Sequence, residues 1–119
     1  MRIIMLALVA VALGLSAAAP ASAAEMEHCS HAPTIAALRT CVQHAIDQGH
    51  IDNPGVGRSL LAKLDSAQRS VDRSQPAVAI NKLAAFIHEL DAQAGAHIET
   101  EHADHMRTHA QEVIVALSA

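Results

Sequence analysis

Apolar residues recur along most of this chain at steps of three and four. From position 34 the first series is Ile35, Leu38, Val42 and Ala45 or Ile46, with Cys41 on the same side. That spacing puts the side chains on one face of a helix. Ala32-Pro33 precedes the series, and a proline suits the first helical position, where its missing N–H costs nothing. Gly49 follows it and supplies the left-handed backbone on which helices often end. The second series, Leu60, Leu64, Ala67 and Val71 widened by Leu61, starts after Asn53-Pro54, a capping oxygen followed by a proline. Arg58, Lys63, Arg69 and Arg73 fall on its polar sides. Ser74-Gln75-Pro76 reads as the same device repeated. It opens the cleanest stripe, Ala79, Ile80, Leu83, Phe86, Ile87, Leu90 and Ala94, closed by Gly95. This third helix is expected at the centre of the core. The last series is Ala103, Met106, Ala110, Val113, Ile114 and Leu117, and the carboxylates of Glu99 and Glu101 at its start suit a helix N-terminus. No run alternates with the period of a strand. Connections of a few residues make successive helices antiparallel neighbours, so the expected fold is all-α, a compact antiparallel four-helix bundle.

The first 24 residues stand outside that pattern. Met1-Arg2 gives a minimal positive start, Ile3 to Leu15 is an apolar run, and Ser16 to Ala24 is a stretch of small residues broken by Pro20. This is the form of a cleavable signal peptide, with cleavage near Ala24. The apolar run is short for a membrane span of about 20 residues. No cysteine closes the segment, which argues against a lipid anchor. The expected organisation is a signal peptide at 1–24, a lead-in at 25–33 and a helical domain at 34–119. The expected location is the periplasm or the extracellular medium, with the membrane met only during export. Two cysteines, Cys29 and Cys41, follow the signal peptide. In an oxidising compartment an even count suggests a disulfide, here tying the tail to the first helix. The alternative is a pair of free thiols or metal ligands.

Composition removes other classes. Beyond the signal peptide, seven Lys and Arg face twelve Asp and Glu. A nucleic-acid binder needs a basic face, so nucleic acid is not an expected partner. Phe86 is the only aromatic residue, which excludes base-stacking platforms and aromatic sugar shelves. The core must be built from Leu, Ile, Val and Ala.

The stretches that carry the helices also carry a resemblance. Ile51-Asp-Asn-Pro-Gly-Val-Gly-Arg-Ser-Leu-Leu-Ala-Lys-Leu-Asp65 is similar to the second helix of the FIMAH domain. Pro76-Ala-Val-Ala-Ile-Asn-Lys-Leu-Ala-Ala-Phe-Ile87 continues the likeness, as does the Ala94-Gly95 to Ile98 junction and the helix holding Ala103-Asp104. The resemblance covers about residues 34–118. It implies an accessory module of the kind found toward the C-termini of large secreted bacterial proteins, often beside hydrolase or adhesion-type domains. It brings no catalytic or binding residues. The expected organisation departs from that pattern, with a helical domain directly behind a signal peptide and no partner domain, and so do the histidines of the last helix.

There are nine histidines. His102, His105 and His109 lie within about 60° of one another around the last helix, forming one stripe at the edge of its apolar face. His105 and His109 are four apart, a spacing that lets two imidazoles share a metal, and Met106 adds a soft donor for copper. The pair lacks the intervening glutamate that a zinc peptidase needs. One helix brings only two or three ligands together. A closed site would need another from a neighbouring helix, the tail (His28 or His31), a second molecule or water. The plain alternative is a solvated helix flank. His28-Cys29-Ser30-His31 is a second candidate, for a borderline or soft metal if Cys29 is reduced. His44, His50, His88 and His97 read as surface residues. No Gly-X-Ser-X-Gly elbow, phosphate loop or framed carboxylate pair occurs. The expectation is therefore a non-enzymatic binding or structural module outside the cytoplasm, without a cofactor and with a protein or envelope partner. The alternative is a transition-metal-binding protein using the histidine stripe, with copper or zinc as the ion.

Overall fold

The computed structural model describes residues 29–119 together with Gly14. The rest of the expected signal peptide, its cleavage site and His28 lie outside the described residues. The described chain forms four helices: α1 (Ile35–Asp47), α2 (Pro54–Asp72), α3 (Pro76–Gln93) and α4 (Thr100–Leu117). The fold is the expected all-α four-helix bundle. Each helix packs against its neighbours in the chain, and α1 closes the ring against α4.

The starts and stops follow local chemistry. Asn53 caps α2, its side-chain oxygen accepting from the N–H groups of Gly55 and Val56, with Pro54 at the first turn. Gly49 and Gly95 take positive φ of 81° and 78°, which L side chains resist. Two expected starts are different. Helix α1 begins two residues later than Pro33 suggests: Ile35 is its first residue, and Thr34 is its cap and accepts from Ala37 N. A hydroxyl at the cap position satisfies a first-turn N–H that a proline ring cannot. At α3, Ser74 does not cap. It takes φ 58°, while Gln75 occupies the cap position without a side-chain bond. Ser74 instead makes the reversal out of α2, its N–H donating to Val71 O, and Gln75 N–H donates to Ser70 O.

The core runs down the centre of the ring. Leu38 and Val42 of α1, Leu60, Leu64 and Ala67 of α2, Leu83, Phe86 and Leu90 of α3, and Ala103, Met106, Ala110 and Val113 of α4 are all buried. Burial of each large side chain is worth roughly 1.5–3 kcal/mol. Where α1 meets α2 the helices approach closely at Gly57, where a Cβ would sit 2.9 Å from Ile46 Cδ1. Polar contacts lace the seams. Arg39 reaches Asp65 between α1 and α2, Lys63 and Ser59 share Glu89 between α2 and α3, and Arg107 reaches Asp91 between α3 and α4.

The end of the bundle that matters for the site is sewn by main chain. The α1–α2 and α3–α4 loops lie side by side, with Asp52 N–H donating to His97 O and Glu99 N–H donating to His50 O, both at 3.0 Å. Ile51 and Ile98 pair across this junction and are buried beneath it. Among the described residues no helix is long and apolar enough to cross a membrane.

Candidate functional site

A cleft of about 330 Å³ opens between the N-terminal tail, α1, the α1–α2 loop and α4. Its walls carry His31 from the tail, His44 from α1, His50 from the loop, and His102 and His105 from α4. Met106, Ala45, Glu101 and the two cysteines complete the lining.

Each imidazole arrives for a local reason. His44 sits in the last turn of α1, three positions after Cys41 and on the same face. His50 follows the turn made by Gly49, and its carbonyl accepts from Glu99 N–H, which presses the loop onto the start of α4. The His50 ring stacks on His102 with centroids 3.7 Å apart and planes 15° from parallel. Glu99 stands at the cap position of α4, yet its carboxylate does not cap. It turns to the histidines instead. His50 Nδ1–H donates to Glu99 Oε2 at 2.9 Å, and His102 Nδ1 lies 3.2 Å from the same oxygen. That second contact has ion-pair distance without hydrogen-bond alignment, so His102 Nδ1 is a buried ring nitrogen with no hydrogen-bond partner. One donor atom from each of His50, Glu99 and His102 falls within a 4.8 Å cluster.

Farther along α4 the histidines diverge. His105 meets His31 edge to face, with centroids 4.8 Å apart. Burial holds the His105 imidazolium below its ordinary range, and the neighbouring His31, His109 and His102 push it the same way. His109 is buried and is not part of the cleft wall. Its Nε2–H donates to the Ala32 carbonyl at 2.7 Å, and its Nδ1 lies 3.7 Å from Cys41 Sγ. Cys29 and Cys41 form the expected disulfide, with Cα atoms 5.0 Å apart.

The stripe read from the sequence thus divides. His102 and His105 face the cleft, while His109 turns under the tail toward the disulfide. Of the tail histidines proposed as extra ligands, His31 reaches the cleft. His44 and His50, read as surface residues, are cleft residues. The His44 signal was present in its spacing from Cys41. The His50 and Glu99 signal was not, because it depends on two loops meeting. His97 pairs with Asp52 across the loop junction, and His88 is exposed on α3.

A family model, the FIMAH domain, matches residues 35–115. The chain belongs to the FIMAH domain family. The FIMAH region takes in Cys41, His44, His50, His102, His105 and His109, and leaves Cys29 and His31 in the preceding tail. The disulfide therefore joins a residue inside the FIMAH domain to one ahead of it. No curated protein and no solved structure matches the chain.

Proposed function

We propose that this FIMAH domain is a non-enzymatic binding module working outside the cytoplasm, and that its ligand is a transition-metal ion held in the histidine-walled cleft. The observation that carries this reading is the convergence of five imidazoles, from four separate stretches of chain, on one cleft. Such a cluster adds little to apolar packing and repels itself when protonated. It does suit copper, nickel or zinc, for which neutral imidazole is a common ligand. His50, Glu99 and His102 offer donor atoms within 4.8 Å of one another. Imidazole lone pairs lie in the ring plane, so the stacked rings must splay to share an ion. The broad second side-chain torsion of histidine allows that rotation. Met106, His105 and His31 are neighbours from which further donors come. The disulfide and the apolar leader-like segment support an extracytoplasmic setting.

The test is calorimetric titration of Cu²⁺ and Zn²⁺ into the oxidised protein, beside a His50→Ala/His102→Ala variant. Saturable binding at neutral pH, weakened by the double substitution and lost on acidification because a protonated imidazole cannot ligate, is the expected result. Equal binding by both proteins would remove the cleft from consideration. An accessory module also serves a neighbour. A pull-down from envelope extract with the metal-loaded protein is expected to return one envelope partner, and its retention by metal-free protein would separate docking from metal binding.

A further inference from the structure

His109 is an unusual residue to find among the buried side chains of a small apolar core. It is 2 % exposed, and both ring nitrogens are directed at defined partners. Ala32 contributes a carbonyl, which can only accept, so Nε2 must carry the hydrogen of the 2.7 Å bond. In the neutral ring this leaves Nδ1 with its lone pair. That lone pair faces Cys41 Sγ at 3.7 Å. A disulfide sulfur has no hydrogen to donate, so in the oxidised protein this buried acceptor has no donor there. Both a thiol and a metal ion would answer it.

The arrangement is that of a prepared ligand. A metal-binding histidine commonly donates its second ring N–H to a carbonyl, which fixes the tautomer and aims the free nitrogen. The spacing agrees. With metal–sulfur and metal–nitrogen bonds near 2.3 and 2.05 Å, a tetrahedral ion separates its nitrogen and sulfur ligands by about 3.6 Å. The observed separation is 3.7 Å, and the donor atoms of Cys29, Cys41 and His109 all fall within 4.8 Å of one another.

We infer that reduction of the Cys29–Cys41 disulfide opens a second, redox-gated metal site in which two thiolates and His109 Nδ1 hold a thiophilic d¹⁰ ion, Cu(I) or Zn(II). An external dithiol of the oxidoreductase class transfers two electrons and two protons. Its own sulfurs become a disulfide, the Cys29–Cys41 bond breaks, and each cysteine leaves as a thiol. The incoming ion then displaces both thiol protons to solvent. The two sulfurs must part to about 3.8 Å, the edge of a tetrahedral site. Cys29 can make that movement because it lies in the half-exposed tail, while Cys41 is held on α1. His31, whose ring centroid lies 6.0 Å from that of His109, or water completes the shell. The metal takes over from the disulfide the task of fastening the tail to α1, and engages α4 as well.

This site is separate from the cleft set of His50, Glu99 and His102, and the test keeps the two apart. Co²⁺ is added as a spectroscopic stand-in for Zn²⁺ to the protein held oxidised, and to the protein reduced with a phosphine, which brings no competing thiol. The reduced protein is expected to show a thiolate-to-cobalt charge-transfer band saturating at one equivalent, and the oxidised protein none. Cys29→Ser, a change in the tail, and His109→Gln, whose amide can still donate to Ala32, should weaken or abolish the band. The His50→Ala/His102→Ala variant should retain it, whatever that variant does to cleft binding. Absence of the band from reduced wild type would overturn the inference, and so would an unchanged band in Cys29→Ser.

Discussion

Phe86 has no exposed surface and is the largest fully buried side chain of the core. With no second aromatic ring to share its volume, Phe86→Ala leaves a cavity that small aliphatic neighbours cannot fill. The expected loss is ~3–5 kcal/mol, against a total stability of ~5–10 kcal/mol for a domain of this size. Urea unfolding should show a midpoint collapsed toward zero denaturant, and a wild-type-like midpoint would displace α3 from the centre of the bundle. At His105 the issue is charge. Its imidazolium lies below the unfolded value of 6.5, first by desolvation and then by repulsion from His31, His109 and His102, with Glu112 opposing. The unfolded chain therefore takes up this proton at higher pH than the folded one. The contribution to stability is intact above pH 6.5 and falls as the pH drops toward the depressed folded value. Metal-free oxidised protein should lose stability as the pH falls below 6.5, and His105→Asn should lose less over the same change. Identical pH profiles for the two would remove His105 as a source of the loss.

Among the elements, α2 has the most explicit start. Asn53 accepts two first-turn N–H groups and Pro54 presets the backbone angle. Asn53→Ala should cost about 1 kcal/mol, and Asn53→Asp should recover most of it, because an aspartate oxygen can cap in the same way. Thermal melts of the three proteins check this. These starts and the glycines that end α1 and α3 were legible because they involve residues a few positions apart. Pro33 and Ser74 were misread for a related reason. Proline and serine each suit more than one position near a helix start, and the choice at α1 fell to Thr34. At α3 the backbone of Ser74 was needed for the turn itself.

At the scale of the molecule, the bundle is fastened twice at the site. The paired loops bind α1–α2 to α3–α4 through main-chain hydrogen bonds, and the disulfide holds the tail across α1 and against His109. The disulfide closes a separation of 12 residues. In the chain-entropy account that link is worth about 3 kcal/mol, so the reduced metal-free protein should unfold at correspondingly lower denaturant than the oxidised one. Zn²⁺ should restore more of that loss to the reduced wild type than to reduced Cys29→Ser, which keeps only the cleft set, since each site bound in the native state alone adds stability. Equal restoration in both proteins would trace the stabilisation to the cleft alone.

The helical class, the number and approximate limits of the helices, the place of Phe86 in the core and the pairing of Cys29 with Cys41 were determined by the sequence alone. Each depends on periodicity, on short-range backbone chemistry or on the parity of two cysteines. The site was decided by tertiary structure. His102, His105 and His109 share a helix face to within about 60°, yet helical angle says nothing of what a neighbouring segment places over each turn. The loop carrying His50 covers His102, His31 meets His105, and the Ala32 carbonyl with Cys41 takes His109. Those partners lie 52, 74, 77 and 68 positions away along the chain. Only the closing of α1 against α4 brings them together, and that closure is driven by burial of aliphatic side chains whose pattern contains no reference to the histidines above them.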